Sequence, residues 1–147
     1  SKFFINNNWY LSDDKYKTTA QIEKSSYRSP LAIMLNNIIT ISSITFDQEL
    51  FNQGKEYLKT YSYKVNRYPL IAPAAVKVFI KIKKGDIVLK STKNNLANNY
   101  NKLNINYPFL YLSSDTNSFY SACKIDLCFG KKDTIQEIKE DIKKEIN

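Results

Sequence analysis

Val76-Lys77-Val78-Phe79-Ile80-Lys81-Ile82-Lys83-Lys84-Gly85-Asp86-Ile87-Val88-Leu89 holds the strongest local pattern in the chain. Val76, Val78, Ile80 and Ile82 alternate with Lys77, Phe79, Lys81 and Lys83, the period-two signature of a strand with one buried face. Gly85 supplies the positive φ of a tight turn without a Cβ penalty. The stretch predicts a β-hairpin over 76–89 with Ile80 facing inward, and so a sheet as the organising element.

On the C-terminal side, Leu103, Ile105 and Tyr107 alternate again, Pro108 interrupts, and Phe109–Leu112 reads as a buried strand. A last alternation places Phe119, Ser121, Cys123, Ile125, Leu127 and Phe129 on one face of a single strand ended by Gly130. From Asp133 the period becomes helical. Asp133 or Thr134 can cap this helix with Gln136 or Glu137 reciprocating, and Ile135, Ile138, Ile142 and Ile146 form one narrow stripe.

On the N-terminal side, Tyr61, Tyr63 and Val65 alternate with Ser62, Lys64 and Asn66 and predict a half-buried strand. Thr45-Phe46-Asp47-Gln48 fits a capping box opening a helix that runs to Lys59. The β-branched run Ile38–Ile44 reads mainly as strand, Asn94–Asn104 as turns, and Ser12-Asp13-Asp14 as a helix start leading to Tyr16, Ala20 and Glu23. The expected fold class is α+β: an antiparallel β-sheet or sandwich with a few peripheral helices, including a C-terminal amphipathic helix. A single compact domain spanning 1–147 is expected.

Composition narrows the chemistry. There is no histidine, and the three glycines, Gly54, Gly85 and Gly130, are far apart, so neither imidazole catalysis nor a glycine-rich phosphate loop is on offer. The net charge of +8 points to an anionic partner, but the excess is almost all lysine, with arginine only at Arg28 and Arg67. Abundant Lys, Asn, Ile, Tyr and Phe is what an AT-rich genome produces, which weakens the argument for nucleic acid. No apolar run approaches the roughly 18 residues needed to cross a bilayer.

Three groups of residues are candidates for function. Tyr57, Lys59, Tyr61, Tyr63, Lys64, Arg67 and Tyr68 interleave aromatics with cations, as a surface that stacks bases and tracks phosphates would. Tyrosine equally suits a protein interface, and a half-buried strand explains the same pattern. The Ile135, Ile138, Ile142 and Ile146 stripe would dock along one groove, on this chain's own sheet or on another chain. Carboxylates form the third group. Asp13-Asp14 and Asp115 are the unpaired options, while Glu49, Glu56, Glu137, Glu140 and Asp141 sit beside lysines on predicted helices, where solvated ion pairs are the default. No catalytic residue, cofactor or metal site is assigned, because no ligand set accompanies the two cysteines. Five residues of extended strand separate Cys123 from Cys128 by about 16 Å and turn them to opposite faces, which predicts two free thiols.

Ser29-Pro30-Leu31-Ala32-Ile33-Met34-Leu35, followed by a Phe46-led helix, resembles the early strand and helix of the outer-membrane lipoprotein of bacterial type VI secretion systems. The resemblance implies an envelope component. The chain begins Ser1-Lys2-Phe3-Phe4, compatible with a removed leader or with methionine excision before a small residue. The expectation is a non-enzymatic protein-protein interaction or assembly module, extracytoplasmic or at the cell surface, with a protein partner. The alternatives are a basic nucleic-acid-binding domain, cytoplasmic if no leader preceded Ser1, and a viral or parasite host-interaction protein.

Overall fold

The computed structural model describes residues 3–6, 8–12, 15–23 and 29–146. A short ribbon of β1 (Phe4–Ile5) and β2 (Asn8–Trp9) precedes α1 (Pro30–Thr45), α2 (Gln48–Lys59), α3 (Ser62–Arg67) and a single 3₁₀ turn at Pro69–Ile71. Then come α4 (Pro73–Lys84), β3 (Ile87–Ser91), α5 (Lys93–Leu103), β4 (Leu110–Ser114), β5 (Tyr120–Cys123), β6 (Cys128–Lys132) and α6 (Ile135–Ile146).

The stretch expected as a hairpin is a helix followed by one strand. Pro73 stands at the first helical position and alanines follow, a start that the alternation further on conceals. In the helix Ala75, Val78 and Lys81 recur at spacings of three and are buried, whereas Ile80 is 49% exposed. A short run such as Val76–Lys83 satisfies period two and period 3.6 together, and the face available on α1 selects the helix. Gly85, at φ +83°, ends α4 instead of turning a hairpin; its N–H donates to the Lys81 carbonyl.

The Leu31–Leu35 and Ile38–Ile44 runs are likewise helical. Ser29 caps α1 by accepting from the Ala32 N–H at 3.1 Å, and Pro30 follows at the first position. Within α1 the hydroxyls of Thr40, Ser43 and Thr45 each donate to the carbonyl four residues back, so no polar group is stranded. Burial of Leu31, Leu35 and Ile39 against α2 and α4 overrides the β-propensity of the isoleucines. Because Thr45 still belongs to α1, the expected capping box shifts: Asp47 caps α2, accepting from the Leu50 N–H at 2.8 Å. The strand that carried the resemblance to the type VI lipoprotein is therefore absent.

The sheet has the order β4-β3-β5-β6. β3 and β4 are parallel, and the other two pairs are antiparallel. The expected antiparallel sheet is thus a mixed one, because the asparagine-rich stretch expected as turns forms α5, the crossover that a parallel pair requires. Thr92 caps α5 and Asn104 ends it in the left-handed region, at φ 34°. No second sheet stacks on this one among the described residues, so no sandwich forms. Helices cover it instead: Ile87, Leu89, Tyr120 and Ala122 face Leu103 of α5 and Ile135, Ile138 and Ile142 of α6. A second apolar cluster gathers the inner faces of α1, α2, α3 and α4.

The final strand expected over 119–129 is broken into the β5–β6 hairpin. Cys123 and Cys128 are cross-strand partners joined by a disulfide, with Cα atoms 3.8 Å apart, so the expected free thiols are corrected. The turn at 124–127 folds the strand back on itself, which brings the two cysteines opposite each other instead of about 16 Å apart. Residues 15–23 form no helix; Tyr10 bridges Thr19, and Asp13 and Asp14 lie outside the described residues. No helix among the described residues is long and apolar enough to cross a membrane.

Candidate functional site

The Tyr57–Tyr68 segment is the end of α2 followed by α3, not a strand, and the helical turn sorts its side chains differently. Tyr57 packs on Phe4 and Trp9, with ring centroids 4.9 and 6.0 Å away. Tyr61 is half-buried, and burial pushes its hydroxyl pKa up. Val65 and Ala72 plug into the helical core and fix both ends of a protruding knuckle. Between them Tyr63, Tyr68 and Leu70 stand out, 71%, 49% and 91% exposed, with Ile71 beside them. Arg67 donates to the Tyr63 hydroxyl at 2.6 Å, and its guanidinium carbon lies 5.9 and 5.5 Å from the Tyr63 and Tyr68 ring centroids.

The cations expected to follow a phosphate backbone are already engaged. Lys59 pairs with Glu56 at 3.5 Å, Lys64 pairs with Glu23, and Arg67 is bracketed by two tyrosines. What remains is an aromatic and aliphatic surface with one guanidinium. Sequence reasoning missed Leu70 and Ile71. Their signal is the pair of prolines, Pro69 and Pro73, which flank Leu70-Ile71-Ala72 and interrupt any continuous α-helix that could bury the two large side chains.

The Ile135, Ile138, Ile142 and Ile146 stripe is not a free surface. The first three are buried against the chain's own sheet and α5, and Ile146 packs on the same cluster. Thr134 and Glu137 provide the capping box: Thr134 Oγ1 donates to the Glu137 carboxylate at 2.7 Å, and the Glu137 N–H donates back at 3.3 Å. In this structure the stripe is thus occupied by the chain's own sheet and α5, with α6 packed on β5 and β6.

The carboxylates are dispersed. Glu140 pairs with Lys143, Asp141 with Lys132, and Glu49 accepts from Gln53. Asp115 accepts from the Thr116 N–H, which with Asn117 holds its carboxyl below the usual range. Among the described residues no three acidic or cysteine side chains converge as a metal site. Among the described residues the buried carboxylate is Asp86. Lys81 Nζ is 3.3 Å from its Oδ2 and also donates to Thr40 Oγ1 and to the Tyr111 hydroxyl. Burial raises the Asp86 pKa despite the ammonium beside it. Tyr107 donates to the Gly85 carbonyl, and burial together with the Asp86 charge pushes its pKa to about 12.

A second cationic feature lies on the sheet face away from α5 and α6. Ser113, Lys90, Ser121 and Lys131 are partners across all four strands. Lys90 sits 3.9 Å from the Phe46 ring centroid and Lys131 4.1 Å from that of Phe119. Comparison with protein-family models, with curated proteins and with solved structures finds no match for this chain.

Proposed function

We propose that this chain is a non-enzymatic module that binds a partner protein through the Tyr63–Ile71 knuckle. The observation that carries this reading is Leu70, 91% exposed at the tip of a turn whose two ends are anchored in the core. Tyrosine, arginine and an exposed aliphatic tip are the side chains that dominate protein interfaces, because they bring large contact area with few rotors to freeze. The turn is held by the Ile71 N–H donating to the Tyr68 carbonyl at 3.1 Å, so little ordering entropy is lost on docking. The Cys123–Cys128 disulfide supports an extracytoplasmic, oxidising setting, where such bonds persist.

The test places a photoreactive phenylalanine analogue at Leu70 and, as control, at the exposed Lys143. A discrete cross-linked adduct at position 70 alone, reduced about tenfold by Tyr63→Ala with Arg67→Ala, is expected for a hot-spot pair. No adduct at position 70 rejects the reading. Salt-sensitive retention of single-stranded DNA that is lost on Lys90→Ala with Lys131→Ala transfers the function to the lysine row and to nucleic acid.

A further inference from the structure

β4 is an edge strand whose inner side is fully used and whose outer side is open. The Phe109 carbonyl accepts from the Ile87 N–H at 2.9 Å, and the Asp115 N–H donates to the Ser91 carbonyl at 2.8 Å. Backbone groups alternate sides along a strand, so residues 109, 111, 113 and 115 turn their main chain toward β3. Leu110, Leu112 and Ser114 therefore turn theirs outward. The Leu110 N–H is taken by the Tyr107 carbonyl at 3.3 Å, which leaves the Leu110 C=O and both groups of Leu112 and of Ser114 facing the open edge. No described strand pairs with that edge.

The two edges of the sheet are built differently. β6 carries Lys131 and Lys132 and has a register shift opposite Ala122 and Cys123, both devices that discourage strand addition. β4, reading Leu-Tyr-Leu-Ser-Ser, has no charge, no proline and no bulge. Beside it runs a groove of about 690 Å³, lined by Tyr100, Leu103, Ile105, Tyr107, Leu110 and Leu112, with Leu112 39% exposed. No charged side chain lines it.

We infer that the β4 edge accepts an extended strand of a partner polypeptide, whose alternate apolar side chains enter this groove. Only a polypeptide backbone presents donors and acceptors at the two-residue repeat that Leu110, Leu112 and Ser114 offer. The net charge of +8 on each copy opposes a second copy of this chain and favours a partner of opposite sign. The edge shares no residue with the Tyr63–Ile71 knuckle, so the inference stands or falls apart from that reading.

The test uses the full chain, isotopically labelled, and a soluble acetylated peptide of alternating valine and glutamate as probe. At millimolar peptide the Leu112 and Ser114 amides are expected to exchange about tenfold more slowly or better, with no change along β6. Leu112→Pro removes an outward N–H and leaves the β3 ladder intact, so it abolishes the protection while the protein stays folded. Leu112→Lys serves as a second variant that keeps the N–H and places a charge at the groove. Unchanged β4 amides, or equal protection of β6, overturn the inference. A dimer in sedimentation that Leu112→Pro dissolves also overturns it, because the occupant is then a second copy.

Discussion

Lys81 and Asp86 show how much one side chain can decide at the scale of the residue. Both are essentially sealed from solvent, and the ammonium donates to Thr40 and Tyr111 while lying 3.3 Å from the carboxylate. Removing one partner of such a pair leaves the other charge stranded. Asp86→Ala is expected to destabilise the fold by about 3–5 kcal/mol in urea denaturation, because it strands the Lys81 ammonium in the interior. The pH dependence follows from that direction. The folded pKa of Asp86 lies above its unfolded value, so the folded state holds the proton more tightly. This contribution is full below the ordinary carboxylate pKa and is lost as pH rises through the raised value. Urea melts across the acid range should therefore show the stability of wild type falling, relative to Asp86→Asn, as pH rises toward neutrality. Alternation placed Lys81 on the wet face of a strand; nothing local to the sequence says that a lysine will be interior.

At the scale of the element, the reading succeeded where a cap and a stripe agreed and failed where one pattern served two periods. α6 was legible because Thr134 and Glu137 mark its start and its isoleucines recur only at helical spacing. β3 was legible as a continuous apolar run. α4 was not, since Val76–Lys83 fits a strand and a helix equally, and α1 was not, since its isoleucines favour strands until burial decides otherwise. A Cβ on Gly54 of α2 meets Ile38 Cγ2 and Ile39 Cδ1 of α1, both at 2.9 Å. Gly54→Ala gains up to about 1 kcal/mol of helix propensity but overpacks the α1–α2 contact by about 1–3 kcal/mol, so a lowered melting temperature is expected. Cys128→Ser opens the β5–β6 hairpin's cross-link, and loss of so short a loop closure is expected to remove about 2 kcal/mol, read as a lower urea midpoint that wild type reaches only under reductant.

At the scale of the whole molecule, α5 and α6 cover one face of the sheet, and α6 supplies much of that layer. Burying Ile135, Ile138 and Ile142 contributes about 1.5–3 kcal/mol each, against a total of about 5–15 kcal/mol for a domain. Deleting residues from Asp133 onward should therefore abolish the cooperative thermal transition followed by circular dichroism. A truncated chain that melts cooperatively near the wild-type temperature would return the stripe to the list of partner surfaces. The knuckle and the β4 edge depend on the same scale. Local sequence marks tyrosines, an arginine and two prolines, but only the anchoring of Val65 and Ala72 in the helical core makes Leu70 protrude. By itself the sequence determined that the fold mixes helices and strands and that the residues after Asp133 form an amphipathic helix, because caps and stripes act locally. The tertiary structure decided that the 76–89 stretch is helix then strand, that the sheet is mixed, and that Cys123 meets Cys128. The physical reason is that periodicity states how a segment could bury its apolar side, while the partner that accepts that side is chosen by residues far away in the chain.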